Sequence, residues 1–384
     1  HTITSAVKQV FTVLDAGDLT ITGNGTITGP TGEAAKNFDS YSMIYVTGTN
    51  AKLTVMDGKI TAGGVGDCGM YGIYVADGGN VILGDAGTKT GPTITTWFAA
   101  VGENNTTSPA NITIYGGEYT AQAAPADSDW WAYFCAPVYA SASGDINISG
   151  GTFNGYYGIS SRYVKVAQNL NISGGTFNGS KSALFADNEE GSAKNGERTI
   201  FITGGTFSSD PTEYVAEGYI TLVNNNTFTV SKTNEIPVTK ATVQDYLDGK
   251  YGSINGKTLM LAGDNYDKIE FGRATAYKGS NTEYYLKDNT STAPVTPDAI
   301  KQDIDNHPNG GAKNRVYVRN MSGVTLKAAE GAAVTINGLV AFGGQVNSTK
   351  WYSKDFVVGR DMSATENNNI CYWIGQNWSN ITFE

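Results

Sequence analysis

The sequence predicts an all-β solenoid, a chain wound so that one strand unit stacks on the next. Three observations carry that prediction. The composition is that of strands and turns, a short unit returns at intervals of 24 to 34 residues, and apolar and polar letters alternate inside each unit.

At 384 residues the chain is longer than one ordinary compact core organises, which leaves two domains or one elongated solenoid. It has 48 Gly and 22 Tyr but only 16% charged residues, a balance that suits strands and turns rather than helices. With 40% hydrophobic residues it has enough apolar surface to fold. The net charge of −10 supplies no basic face for a phosphate backbone or an anionic lipid, which argues against nucleic acid as a partner. No run of 18 or more apolar residues is present, so no membrane-spanning segment is expected. The chain starts at His1 without a signal peptide and stops on strand-like "NWSNITFE", so it reads as a trimmed piece of something longer.

The units begin on an apolar residue: "LTITGNGTITG" at Leu19, "LTVMDGKITAG" at Leu53, "ITIYGGEYTA" at Ile112, "INISGGTFNG" at Ile146, "LNISGGTFNG" at Leu170 and "IFITGGTFSS" at Ile200. The last four starts are spaced by 34, 24 and 30 residues. Within a unit Ile146 and Ile148 face one side while Asn147 and Ser149 face the other, the period of a half-buried strand. Gly150 and Gly151 then permit a sharp corner. Phe153 turns inward again, and Tyr119, Phe177 and Phe207 share its offset, so coiling the chain stacks these rings about 4.8 Å apart. Burying each ring contributes roughly 1.5 to 3 kcal/mol, with roughly 0.5 to 1.5 more from ring-on-ring contact. Asn147 and Asn171, facing outward on adjacent rungs, are placed to form an amide ladder. These features make the repeat a structural rung rather than a repeated active site. The unequal spacings mean that loops of different length leave the rungs, and loops are where such a scaffold carries function.

"ISGGTF" at 148–153 and 172–177, "ITGGTF" at 202–207 and the closing run "FSSDPTEYVAEGYITLVNNNTFTV" at 207–230 resemble the right-handed parallel β-helix repeats of surface proteins in gut-dwelling Firmicutes. The resemblance covers about residues 1–230. It implies a secreted, cell-wall-associated protein of the adhesin-like kind, some of which bind mucin or host immunoglobulin, and it defines no catalytic site.

After Val230 the pattern changes. "KATVQDYLDG" offers Thr242 as N-cap, Asp245 three residues on and Gly249 as a stop, a short helix suited to plug the end of the first solenoid. "GKTLMLAGDNYDKIEFG" restarts strands, and "RNMSGVTLKAAEGAAVTING" at 319–338 is echoed by "QNWSNITFE" at 376–384. Between them Thr296, Pro297, Ile300, Ile304 and Pro308 mark a second short helix, an insert on the side of the coil. The domains are therefore 1–231, a β-helix, and 232–384, a linker helix with a second β-helix module cut off at its end.

The chemical motifs are few. "GGVGDCG" contains a formal GxGxxG at Gly64, Gly66 and Gly69, but "MYGIYVADGG" after it reads as strand where a dinucleotide loop needs a helix. Cys68, Cys135 and Cys371 are odd in number and far apart, which favours buried free thiols over a disulfide framework. Asn-x-Ser/Thr triplets at Asn111, Asn147 and Asn171 match a glycosylation pattern that an Asn/Thr-rich chain meets by chance. Only two histidines, His1 and His307, are present, too few for a zinc site. Asp187, Asn188, Glu189 and Glu190, and Asp264 with Asp267, read as solvated turns before calcium ligands, and no cofactor is implied.

"DSDWWAYF", Asp127 to Phe134, is the most unusual local composition. It lies in the 34-residue interval, so part of it must loop outward, and adjacent Trp130 and Trp131 cannot both face inward in a strand. With Tyr133, Trp97, Phe98, Tyr156, Tyr157 and Tyr163 on neighbouring rungs, these rings either form an aromatic contact strip or roof an exposed flank of the coil. The residues taken as the binding set are Trp130, Trp131, Tyr133, Trp97, Tyr156 and Tyr157. For catalysis, Asp355, Arg360 and Asp361, or Asp127 and Asp129, supply charged pairs, though surface ion pairs explain them more simply.

The reading is two right-handed parallel β-helix modules in series, with short helical inserts. They would form a monomeric rod displaying loops from a bacterial surface and recognising a host glycoprotein, immunoglobulin or mucin, or its glycans. The alternatives are a carbohydrate-active β-helix enzyme, either polysaccharide lyase or glycoside hydrolase, and a passive stalk without a ligand.

Overall fold

Runs of four to six β-branched and aromatic residues, broken by Gly and Asn turns, form strands throughout the computed structural model. It describes residues 1–103, 108–141, 144–162, 167–186, 198–247, 249–266, 269–271, 275–276, 315–317, 324–336, 340–342, 351–352, 371–374 and 381–383. Strand accounts for 52% and helix for 7%, which places the protein in the all-β class, with a large parallel sheet curled on itself. The chain divides into two compact units, His1–Glu217 with Val223–Ser231, and Gly218–Leu222 with Lys232–Glu384.

In the first unit successive strands fall in turn into three parallel ladders. Ladder 1 runs Thr2–Thr4, Thr26–Thr28, Lys59–Thr61, Thr93–Thr96 and Glu118–Ala121. Ladder 2 runs Phe11–Leu14, Ser42–Thr47, Tyr71–Ala76, Val101–Glu103 and Val138–Ala140. Ladder 3 runs Asp18–Ile21, Lys52–Val55, Asn80–Leu83 and Asn111–Ile114. The long strands Gly144–Ser161 and Gln168–Ala186 each turn through all three ladders, and Arg198–Phe207 joins ladders 3 and 1. An antiparallel strand, Thr227–Ser231, then pairs with Arg198–Phe207 and ends the parallel stacking of ladder 1.

The register matches the units read from sequence and adds one. Leu19, Leu53, Val81, Ile112, Ile146, Leu170 and Ile200 stand opposite one another in ladder 3. The circuit through Val81 departs from the repeat because its corner is long: Ile94 stands 13 positions after Val81, where Tyr119 and Phe153 stand 7 positions after Ile112 and Ile146. There the turn "GDAGTKTG" is organised by Asp85, whose carboxylate accepts the N–H groups of Gly87 and Thr88 and the Thr88 hydroxyl.

The interior of ladder 1 carries Ile60, Ile94, Tyr119, Phe153, Phe177 and Phe207, all buried. Tyr119, Phe153, Phe177 and Phe207 form a stack with centroid separations of 5.1, 4.7 and 5.0 Å and interplanar angles of 9°, 8° and 8°. The strand spacing sets this distance, and parallel pairing in register sets the near-parallel planes. Outside, the amide ladder is present: Asn171 Nδ2 donates to Asn147 Oδ1 at 3.0 Å, and Asn178 Nδ2 donates to Asn154 Oδ1 at 2.9 Å. The two corner glycines have separate reasons. A Cβ on Gly150, Gly174 or Gly204 would stand 2.3, 2.5 or 2.3 Å from a carbonyl oxygen of the preceding circuit, whereas Gly151, Gly175 and Gly205 hold φ of 105°, 104° and 109°.

In the second unit Glu235–Val238, Thr258–Leu261, Val324–Ala328 and Ile381–Phe383 form another parallel ladder. Val324 pairs with Ile381 and Leu326 with Phe383, the register in which "SGVTL" and "SNITF" align. The expected short helix spans Val243–Leu247, with Tyr246 and Leu247 buried. Thr242 stands just before it and its hydroxyl accepts the Thr239 N–H, while Gly249, at φ 70°, follows. The helix expected around Ile300 and Ile304, together with His307, lies outside the described residues.

Candidate functional site

The aromatic residues singled out from sequence meet at the corner where the chain passes from ladder 1 to ladder 2. Each circuit crosses this corner differently. After Lys59–Thr61 the chain makes an antiparallel hairpin, Gly64–Val65 against Cys68–Gly69. Its glycines are the floor for Trp97 of the next circuit: a Cβ on Gly64 or Gly69 would stand 2.3 or 2.2 Å from the indole, and Trp97 Nε1 donates to the Gly66 carbonyl at 2.9 Å. The GxGxxG letters thus serve a close approach of an aromatic ring to backbone. The next corner is short and buries Phe98 and Ala99 in one cluster with Tyr71, Trp131, Cys135 and Tyr156.

The following circuit carries the long loop 122–137. Asp129 Oδ2 accepts the Ala126 N–H at 2.8 Å, and a 3-10 turn, Ala132–Phe134, follows. The tight backbone sends the adjacent indoles apart. Trp131 is buried against Phe98, with centroids 6.1 Å apart, whereas Trp130 is 67% exposed and touches the cluster edge-on through Phe134 at 6.2 Å. Phe134 in turn meets Tyr133 at 4.4 Å and Tyr139 at 5.0 Å. The guanidinium of Arg162 lies 3.7 Å from the Tyr133 ring centre, a cation–π contact.

The next two corners are short. Tyr156 is buried and Tyr157 half-buried, their rings edge-to-face at 4.8 Å. Tyr157 stacks on Phe185 of the circuit after at 4.7 Å. The long loop is joined to both circuits through Asp127, whose carboxylate accepts the Tyr156 hydroxyl on one oxygen and Lys181 Nζ, at 2.5 Å, on the other. The Lys181 hydrogen bond, then that of Tyr156, hold the Asp127 carboxyl below its ordinary value. Burial, reinforced by the bond to Asp127, pushes the Tyr156 phenol up.

Of the six residues chosen from sequence, Trp97, Trp131, Tyr133, Tyr156 and Tyr157 belong to or pack against one buried cluster, and Trp130 stands at its edge. The reading of Trp131 and Tyr156 as contact residues needs correction, because both are turned into the cluster where apolar area is removed from water. Trp130 is the exposed ring, with Tyr133, Phe134 and Tyr157 half-buried around the cluster. Tyr163 lies outside the described residues.

Lys181 and Arg162 were not picked from sequence, and Asp127 was picked only as the start of the aromatic segment and as half of a charged pair with Asp129. The repeat offset held a signal: the register that pairs Gly155 with Gly179 brings the segment holding Lys181 alongside Tyr156 and Tyr157.

Asp127 and Asp129 each have a structural partner, so the pair carries no catalytic assignment. Cys135 is buried and free, its thiol pushed up by burial, and Cys68 is half-buried and free. Neither has the lowered thiol pKa of a reactive cysteine. Among the described residues no group of three or more His, Cys, Asp and Glu could hold a metal ion, and no helix is long and apolar enough to cross a membrane. Asp187, Asn188, Glu189, Glu190, Asp267, Asp355, Arg360 and Asp361, and the side chain of Cys371, lie outside the described residues. No family model, curated protein or solved structure matches this chain.

Proposed function

We propose that the first unit is a right-handed parallel β-helix and that the protein is a bacterial cell-surface binding protein. It recognises a host glycoprotein, immunoglobulin or mucin, through the loop at the corner between ladders 1 and 2. The ordered visits to three parallel ladders support the coil, and parallel strands joined by crossovers are right-handed in about 98% of cases. The observation that carries the function is Trp130, a large indole left 67% exposed on a loop whose other rings are packed away.

Interfaces draw most of their binding energy from a few aromatic and Arg anchors surrounded by a polar rim. Here Lys181 and Asp127 supply exposed charge around partly covered Tyr133, Phe134 and Tyr157. The corner is also fixed by a rigid parallel scaffold, which lowers the cost of ordering it on binding.

The test is retention of the purified chain by biolayer interferometry on immobilised mucins and immunoglobulins, each intact and deglycosylated. Retention is expected on at least one intact surface. Its loss on deglycosylation assigns recognition to glycan, and survival assigns it to protein. No retention on any surface would remove the binding reading.

A further inference from the structure

The loop that presents Trp130 is held in two different ways along its length. Its later half is anchored by burial, with Trp131, Ala132 and Cys135 inside the cluster. Its start is anchored too, with Ala123 and Pro125 buried and the Gln122 and Ala123 N–H groups donating to the Thr96 and Trp97 carbonyls, but the tip between has no such anchor: Ala126, Asp127, Ser128 and Trp130 are all exposed. What ties that tip down is the Asp129 turn and the bridge from Asp127 to residues 29 and 54 positions away. Those two partners belong to the next two circuits, so one carboxylate joins the loop to both. The other charged and titratable groups at this corner are Tyr157, whose surroundings include Lys181, Asp127, Cys135 and Arg162, the buried Cys135 thiol, which also acts on Tyr156, and Asp129 within the turn.

We infer that Asp127 is a positioning residue, which clasps the loop to Tyr156 and Lys181 and so holds Trp130 ready for its ligand. The clasp stands on geometry alone, and its effect on affinity rests on the binding reading above. An exposed aromatic anchor on an untied loop would have to be ordered at each encounter, and the free energy of that ordering would be subtracted from binding. The clasp removes that loss in advance.

Its pH dependence follows from the sign of the carboxyl shift. Asp127 is held below its ordinary value, so the clasp is complete above the usual carboxylate range and is released only as pH falls through the lowered value.

The experiment is hydrogen exchange on the unliganded chain, comparing Asp127→Ala and Asp127→Glu with the parent, alongside retention on an immobilised mucin or immunoglobulin that holds the parent. In Asp127→Ala, protection of the Ala126 and Asp129 amides, both hydrogen-bonded within the tip, is expected to fall about tenfold and retention to weaken by a similar factor. Protection around Phe153 and Phe177 should stay unchanged, and Asp127→Glu should restore part of both losses. Unchanged protection of the Ala126 and Asp129 amides would overturn the clasp. Lowered protection with full retention would overturn the positioning role while leaving the binding reading intact. A parent that is retained nowhere would remove the binding reading and the positioning role with it, and the exchange data would still decide the clasp.

Discussion

At the Gly-Gly corners that leave ladder 3 after Ile148, Ile172 and Ile202, two glycines do unlike jobs, and single substitutions separate them. Gly174→Ala would place a Cβ 2.5 Å from the Ser149 carbonyl oxygen, while Gly175→Ala would put a side chain on a residue at φ 104°. Each is expected to lower stability by about 1 to 3 kcal/mol, the first by pushing circuits apart and the second by backbone strain. Urea unfolding would show it as a lower midpoint, and unchanged midpoints would contradict the close-approach account. Phe177→Ala removes the middle of the ring stack and is expected to cost about 3 to 5 kcal/mol. Asn171→Ala takes one exposed amide from the outer ladder and should cost no more than about 1 kcal/mol. The contrast follows from burial, since the ring is wholly out of water and the amide is not.

At the scale of elements, the corner between ladders 1 and 2 is built from glycine floor to aromatic roof. Gly69→Ala, whose Cβ would fall 2.2 Å from Trp97, is expected to displace that ring. The cost should be about 1 to 3 kcal/mol in urea unfolding, the range for overpacking a fitted site. How much of this was legible in the sequence depended on whether the same letters recur. The rungs at Ile146, Leu170 and Ile200 were readable because strand, Gly-Gly corner and inward Phe repeat together. The rung at Val81 has the strand, but an Asp85-centred turn lengthens its corner and moves the inward Ile94 out of the shared offset. The unusual aromatic density of the 127–134 segment marked the corner, but which indole faces outward is set by a 3-10 turn that no periodicity announces. Likewise Asp127 meets Lys181 across 54 positions, a pairing fixed by stacking of circuits and not by any local pattern.

For the whole molecule, the account separates what holds the fold from what meets a partner. The three ladders of the first unit bury aliphatic and aromatic columns, with Gln168 Nε2 donating to the Glu103 carboxylate among them, and the ladder of the second unit repeats the arrangement with different letters. With a net charge of −10 and one exposed indole in the aromatic corner, recognition should depend on aromatic contact more than on charge steering. The most direct test is to compare Trp130→Ala with the parent for retention on the mucin or immunoglobulin surface that holds the parent, with urea unfolding of both. The account predicts that retention falls by at least about thirtyfold, the loss of a hot-spot anchor, while stability changes by less than about 0.5 kcal/mol. Undiminished retention by a folded Trp130→Ala chain would contradict it.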